Sequence, residues 1–526
     1  MLPATQTIDT PLPKTWSLAF VNLRKLLLLF WAFIAFFFYL SASAQAKTIY
    51  VASNGKDSNS GTLQRPVASP AQALAMSEAG DTIYLRAGRY SINHFLWVDK
   101  PGITIASYPK ERATLTSGTE ETDSNANNIL ILVADNISIL DIDIEGGSYY
   151  GIKIDIDRAQ TTKGVTLRGC RIRNTGRDCI KSFRADKLLI ENCEIGPSGI
   201  RDASNAEGID AIASVGITIR GCYIHDTATN GLYLKGGTRE GLVERNRLER
   251  AGHAGILLGQ DTDEAAMRDG AKYEALNCVA RNNIISDTRG AGIGSYSGSQ
   301  IRFENNTLYD VAKQMQAGFY VVTNSRAVMA EKISFKNNIV VVLSERPLVL
   351  IKNLGDPLLC DTNIWFSPRQ ANNFHREVEL AGKFDKWSFA DWQRQLRIDA
   401  HSFFADPLLD PASLFKPRAG SPAFDSGEQL PEIKTDYRGN PRPQGAAFDI
   451  GAYEVGGNHE SATTALPERN PDVPDTNAEI EEKDETFVSR KKQILVIVFS
   501  VLSGILIVLC IYWFRAKNRA PKNIRI

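Results

Sequence analysis

The 526-residue chain has no net charge: 60 lysines and arginines offset 60 aspartates and glutamates. No overall field therefore draws it to nucleic acid or to an acidic polymer, and only a local basic patch could do so. Its seven cysteines show neither paired short spacings nor a CxxC pattern, which excludes a zinc site of the usual kind. Also missing, throughout the central repeated region, is any apolar pattern of helical period ten or more residues long, and this disfavours leucine-rich and helical repeats. What remains is 43% hydrophobic and 23% charged, the composition of a folded protein able to bury a core.

Both ends carry apolar runs. Residues 26–40 (LLLLFWAFIAFFFYL) follow Arg24 and Lys25 and precede Ser41-Ala-Ser-Ala-Gln-Ala46, the layout of a signal peptide over residues 1–46, either cleaved after Ala46 or kept as an N-terminal anchor. Residues 494–514 form an uncharged stretch of 21 residues, long enough for a helix to cross a hydrocarbon core of about 30 Å. Arg490, Lys491 and Lys492 lie before it, and Arg515, Lys517, Arg519, Lys522 and Arg525 after it, which puts the basic tail 515–526 in the cytoplasm and the body outside, in the periplasm or at the cell surface. Residues 456–490, rich in Pro, Asn, Thr and acids, have the composition of a disordered stalk.

Between these landmarks the chain repeats itself. The segments ILDIDIEGG, LRGCRIRNT, IENCEIGPS, IRGCYIHDT, VERNRLERA, VARNNIISD, FENNTLYDV and FKNNIVVVL align on Ile142, Cys170, Cys193, Cys222, Asn246, Asn282, Asn306 and Asn337. Successive gaps of 28, 23, 29, 24, 36, 24 and 31 residues describe a coil of about two dozen residues with insertions. Each unit holds short alternating strands such as Val165-Thr-Leu167, bounded by Gly or Asn. One unit cannot bury its inward face alone, so coils stack about 4.8 Å apart and a shared column becomes a ladder of like side chains. The expected fold is all-β: a right-handed parallel β-helix solenoid over residues 47–455, with an N-terminal capping helix and terminal hydrophobic helices. The Cys-then-Asn column reads as an inward structural stack.

A second strand in each unit opens on Gly-Ile or its equivalent: Gly151-Ile-Lys-Ile-Asp155, Cys179-Ile-Lys-Ser-Phe183, Gly208-Ile-Asp-Ala-Ile212 and Gly231-Leu-Tyr-Leu-Lys235. Alternation points its third and fifth residues outward. Two flanking stretches carry a family resemblance. Tyr50-Val-Ala-Ser-Asn-Gly-Lys-Asp through Gly80-Asp-Thr-Ile-Tyr-Leu-Arg-Ala-Gly-Arg-Tyr90 resembles the start of secreted pectate-lyase-like β-helix proteins, in which a short helix caps the first coil. Ala405-Asp-Pro-Leu408, Gly420-Ser-Pro-Ala-Phe-Asp-Ser-Gly427 and Thr435-Asp-Tyr-Arg-Gly-Asn through Glu454 resemble the terminal module of bacterial surface proteins with a choice of C-terminal anchors, which makes residues 400–455 a capping module.

The outward column stacks Lys153, Lys181, Asp210 and Tyr233 on successive coils. For a uronic-acid polysaccharide, β-elimination needs a base for the proton α to the carboxylate and positive charge for the resulting enolate. Lys235 or Lys181 is the candidate base, and Tyr233 the candidate donor to the leaving oxygen. Asp210 and Glu207 are candidate Ca2+ ligands, with Asp210 also a sugar contact. His225 and His253, on turns of neighbouring coils, are candidate acid-base or substrate-binding groups. The excursion Gln260–Tyr273 overhangs this face, and its Asp261, Asp263 and Asp269 lack an EF-hand spacing. The NTD, DD, GHG and RIK signatures of polygalacturonases are absent, as are the DPHE of mannuronan epimerases and the WIDH and RxPxxR of pectate lyases, so hydrolysis is disfavoured. The expectation is a monomeric, membrane-anchored protein that acts on acidic polysaccharide by a lyase-type reaction, with a non-catalytic glycan-binding or structural role as the alternative and no nucleic-acid partner.

Overall fold

The computed structural model describes residues 46–119, 128–155, 160–369, 373–379 and 383–456. The apolar stretches 26–40 and 494–514, the acidic segment after Gly456 and the basic tail lie outside the described residues. Among the described residues no helix is long and apolar enough to cross a membrane.

The short alternating segments do not pair within their own coil. Successive strands such as Thr166–Arg168, Arg171–Arg173 and Ile180–Phe183 enter three different sheets, here numbered first to third in that order, of 14, 12 and 12 strands. Pairing is parallel from coil to coil, apart from the hairpin of Phe374–Glu379 and Lys383–Trp387 that ends the third sheet. The structure is the expected parallel β-helix. In the first sheet one inward position stacks Ile105, Ile139, Leu167, Ile190, Ile219, Val243, Ala280, Phe303, Phe335 and Cys360, all at most 4% exposed. Burying each larger aliphatic side chain in such a column is worth roughly 2 kcal/mol before entropy is counted, and only neighbouring coils provide the surface.

Paired strand register places Cys170, Cys193, Cys222 and Asn246 in one column, as expected, but continues it through Asn283, Asn306, Asn338 and Asn363. The sequence alignment is therefore one residue early at Asn282 and Asn337. Both belong to Asn-Asn pairs, whose first member takes a left-handed backbone, with φ of 53° at Asn282 and 57° at Asn337, and faces out of the coil. Such a φ suits Asn better than most residues. The second member forms the ladder: Asn283 Nδ2 donates to Asn306 Oδ1 at 2.9 Å and to the Val243 carbonyl at 2.9 Å, while Asn306 Nδ2 donates to Asn338 Oδ1 at 3.0 Å. The ladder ends at buried Asp399, which accepts from Asn363 Nδ2 at 3.2 Å and Trp392 Nε1 at 2.7 Å.

The ends of the core close differently. Helix Pro70–Met76, N-capped by Ser69 and with Ala73 fully buried, covers the first coil. At the other end helix Phe389–Leu396 sets Trp392 against Phe374, with ring centroids 5.2 Å apart. The expected capping module, residues 400–455, adds Phe403–Phe404 to the end of the second sheet and then runs beside the coils, held by the outward Asn residues: Asn337 Nδ2 donates to the Glu428 carbonyl at 2.8 Å, Asn305 Nδ2 to that of Asp449 at 3.1 Å, and Asn282 Nδ2 to that of Thr435 at 2.9 Å. A buried Arg442–Glu454 pair at 2.7 Å, both groups at most 1% exposed, stiffens it.

Asn306→Leu keeps the volume of the ladder position but strips partners from the Asn283 backbone N–H and the Ala280 carbonyl. It is expected to destabilise by on the order of 3 kcal/mol in denaturant unfolding, because buried polar groups lose their hydrogen bonds. Wild-type stability in this variant would show that packing alone holds the column.

Candidate functional site

The third sheet carries Ile152–Ile154, Ile180–Phe183, Ile209–Ile212 and Leu232–Lys235 on successive coils. Their register aligns Lys153, Lys181, Asp210 and Tyr233 as one outward column. The turn before each strand supplies a parallel column of Tyr150, Asp178, Glu207 and Asn230, set by backbone bonds such as Cys179 N to Glu207 O at 3.0 Å and Gly208 N to Asn230 O at 3.2 Å. Glycine opens these strands because the next coil is too close for a side chain: a Cβ at Gly208 would lie 2.5 Å from the Gly231 carbonyl oxygen. The three-residue offset between the columns places Asp178, Lys181, Glu207 and Asp210 at four corners of one patch.

Asp178, Glu207 and Asp210 each present an oxygen within 4.8 Å of the others, and all three are buried, Asp210 with 0% exposure. This differs from the charge ladders of the first sheet, where the half-exposed Arg168 and Arg220 flank Glu191. Lys181 makes a direct ion pair with Asp210 and lies 3.6 Å from Asp178. Glu207 Oε1 accepts from Thr229 Oγ1 at 2.7 Å and Asn230 Nδ2 at 3.3 Å, and Asp178 Oδ1 from the Glu207 N–H at 3.1 Å. Glu207 Oε2 and Asp210 Oδ1 are buried with no hydrogen-bond partner among the described residues.

Three carboxylates face one ammonium in a poorly hydrated patch. Burial, helped by the charges of Glu207 and Asp210, holds the Asp178 carboxyl well above its ordinary range, against the pull of Lys181. Burial alone would lower Lys181, but Asp210 and Asp178 outweigh it and raise it, so that this lysine stays an ammonium. Burial and then the charge of Asp210 push the Tyr233 phenol far up.

The other expected residues fall at different distances from this patch. Tyr233 is 3% exposed and walls the site between Asp210 and Lys235. Lys235 lies beyond it, its Nζ 4.3 Å from the Tyr233 ring centroid and 3.4 Å from the Asp261 carbonyl, with no carboxylate in ion-pair distance among the described residues. His253 lies in the turn after Ala251, two coils beyond Ala206 and on the shoulder of the site. His225 is on the second sheet, stacked on Tyr223 at 4.3 Å with its Nδ1 2.6 Å from Asp226, and the geometry does not bring it to the patch. The excursion is two short 3-10 turns, Glu264–Ala266 and Arg268–Gly270, docked by Arg268 on Asp186 at 2.6 Å; its aspartates do not converge, since Asp261 accepts from Ser325 N and Asp269 pairs with Arg184.

Sequence reasoning missed Asp178. Its signal was available: Tyr150, Asp178, Glu207 and Asn230 are the residues directly before each Gly-Ile or Cys-Ile opening, a column as regular as the one after it.

A family model described as a Pel9A-like right-handed β-helix region matches residues 49–231, and one for the right-handed β-helix region matches 156–340. The helix is right-handed. A pectate lyase, PEL9, from Emericella nidulans is 36% identical over 78 residues, a match that spans 15% of this chain and 18% of that protein's length. The crystal structure of pectate lyase Pel9A is 15% identical with a TM-score of 0.47, over 79% of this chain and 98% of that one. The complex of XylC with xylose is 12% identical with a TM-score of 0.49, over 78% and 98%.

Lys181→Met would leave three buried carboxylates without their counter-charge. Without added divalent cations it is expected to destabilise by on the order of 3 kcal/mol in denaturant unfolding, whereas Arg168→Ala in the solvated ladder should cost less than about 1 kcal/mol; equal effects would mean the patch is an ordinary ladder. At His225, burial lowers the imidazolium but Glu194 and Asp226 raise it further, for a net rise. Its stabilising contribution is complete below about pH 6.5 and fades as pH climbs through the raised folded value. The melting-temperature gap between wild type and His225→Gln should therefore be widest near pH 6 and close toward alkaline pH.

Proposed function

We propose that the chain acts on an acidic polysaccharide by β-elimination, with its reacting groups on the third sheet. The observation that carries this reading is the buried Asp178–Glu207–Asp210 cluster with two orphaned oxygens, flanked by one paired and one carboxylate-free lysine. The Pel9A-like match covers all three acids, and the curated relative is named a pectate lyase. The charge asymmetry around residues 494–514 favours a body held outside the cytoplasm on a membrane anchor.

The cluster fits Ca2+. Oxygen ligands at 2.3–2.6 Å on opposite sides of that ion are at most about 5 Å apart, and the three acids meet this spacing with hard carboxylate donors, two of them holding unsatisfied atoms. Asp178, Glu207 and Asp210 would hold the ion. Bound there, it would supply the positive charge that neutralises the substrate carboxylate and acidifies the adjoining C–H.

The two lysines divide the remaining work. Lys181, fixed as an ammonium by Asp210 and Asp178, stabilises negative charge and is a poor base. Lys235, free of carboxylates, takes the proton α to the sugar carboxylate; the electron pair forms the carbon–carbon double bond and the β C–O bond breaks with its electrons on the leaving oxygen, which takes a proton from solvent water. Tyr233 is too buried to reach that oxygen and serves as a spacer beside Asp210, with the Lys235 Nζ over its ring. Asp210 likewise would hold the cation rather than contact the sugar.

Purified protein given a panel of uronic-acid polymers with Ca2+ should release unsaturated product, read by ultraviolet absorbance. Chelation should abolish it, and Lys235→Ala should lower kcat by about 10²- to 10⁴-fold, the usual worth of a general base, with Lys153→Ala near wild type. No product across the panel, with polymer still retained, would replace this reading by a non-catalytic glycan-binding one.

A further inference from the structure

Beside the acidic cluster the same turns build a cationic cradle. Tyr149 precedes Tyr150, and Arg177 precedes Asp178 one coil later. Arg201 comes from the excursion after Gly196 in the third coil and folds back across both: its backbone N–H donates to the Gly176 carbonyl at 3.2 Å and its Nε to the Ser148 carbonyl at 2.6 Å. The two guanidinium carbons consequently lie 4.3 Å (Arg201) and 5.4 Å (Arg177) from the centroid of the Tyr149 ring.

Two cations held around one ring repel each other, and one acid, Asp202 at 3.0 Å from Arg177 Nε, offsets only one of them. Asp202 itself is held below the usual carboxylate range, first by hydrogen bonds from Ser204 and then by both arginines. Their donors are also incompletely used. Arg201 Nη2 has no hydrogen-bond acceptor among the described residues, whereas Arg177 Nε faces Asp202, and the fully buried Ser148 Oγ beneath them has no partner. A guanidinium offers five N–H donors in a fork matched to a carboxylate. Ile200, 56% exposed beside Arg201, adds apolar surface of the kind a sugar face covers.

We infer that Tyr149, Arg177 and Arg201 form a second binding subsite, which takes the carboxylate of a uronate residue neighbouring the one held at the acidic cluster. The Tyr149 ring is 6.0 Å from that of Tyr150, itself 5.9 Å from Lys181 Nζ, so the cradle lies within about 12 Å of the cluster, a reach for neighbouring sugars of one chain. The inference rests on the acidic-polysaccharide reading. Without a cation the three carboxylates outnumber the one ammonium, and the cradle adds positive charge beside them that would favour a polyanion.

The test is binding of the full chain, with and without Ca2+, to polygalacturonate and to its methyl ester. Wild type should prefer the acid form. Arg201→Gln and Arg177→Gln should each weaken binding of the acid form by about 10- to 100-fold, the worth of a charge-assisted pair, leave the ester unchanged and flatten the salt dependence; Arg201→Lys should rescue only partly, because an ammonium lacks the fork. Folded Arg201→Gln protein that keeps the wild-type acid preference would overturn the subsite, as would a loss equal for both polymers, which would mark a structural role. Arg201-dependent retention without unsaturated product would sink the elimination chemistry and leave the subsite standing. Wild type that binds no polymer of the uronic-acid panel would overturn both.

Discussion

Each coil of this chain has one wet side and one dry side, and the dry side can be covered only by the coils above and below it. Stacking at about 4.8 Å then compels residues at equivalent places to become neighbours whatever their chemistry. The aliphatic column from Ile105 to Val243 exploits this for core burial, and the aromatic stack of Phe335 and Trp365, with centroids 5.3 Å apart, fills the C-terminal end. An Asn in such a column must bond to the Asn of the next coil, because water is excluded; Asn246, Asn283, Asn306 and Asn338 do so. The same geometry that makes a core from isoleucines makes a hydrogen-bonded ladder from amides.

The acidic cluster is a third product of that rule. Two acids in the turn column and one in the strand column fall within a few ångströms because coils cannot be spaced further apart, and the short turns at Gly208 and Gly231 leave no room for relaxation. Burial, with the neighbouring charges of Glu207 and Asp210 behind it, raises Asp178, and the same acids hold Lys181 in its ion pair. Lys235, one coil on and behind the Tyr233 ring, escapes this field of carboxylates. Two lysines that are interchangeable in the sequence are thereby given different surroundings, one paired with buried carboxylates and one without them.

The loops complete the arrangement. The 196–206 excursion brings Arg201 back over Tyr149, and the excursion after Gln260 docks through buried Arg268 to border the Lys235 end, so cationic and polar walls flank a central anionic patch along one face. On the opposite turn, the outward Asn of each Asn-Asn pair holds the C-terminal segment against the coils.

By itself the sequence determined the repeat, the inward columns, the Cys-to-Asn change and the outward alignment of Lys153, Lys181, Asp210 and Tyr233, because period and alternation are properties of the chain alone. It left the Asn-Asn pairs ambiguous by one residue, since either amide suits a ladder until backbone φ is known. Burial, and with it the distinction between a solvated charge ladder and a cation-sized cluster, was decided only by the tertiary structure. Whether Asp210 is wet or dry depends on turns and excursions from several coils, whose paths follow no period, and desolvation rather than residue type governs what a carboxylate or a lysine there can do.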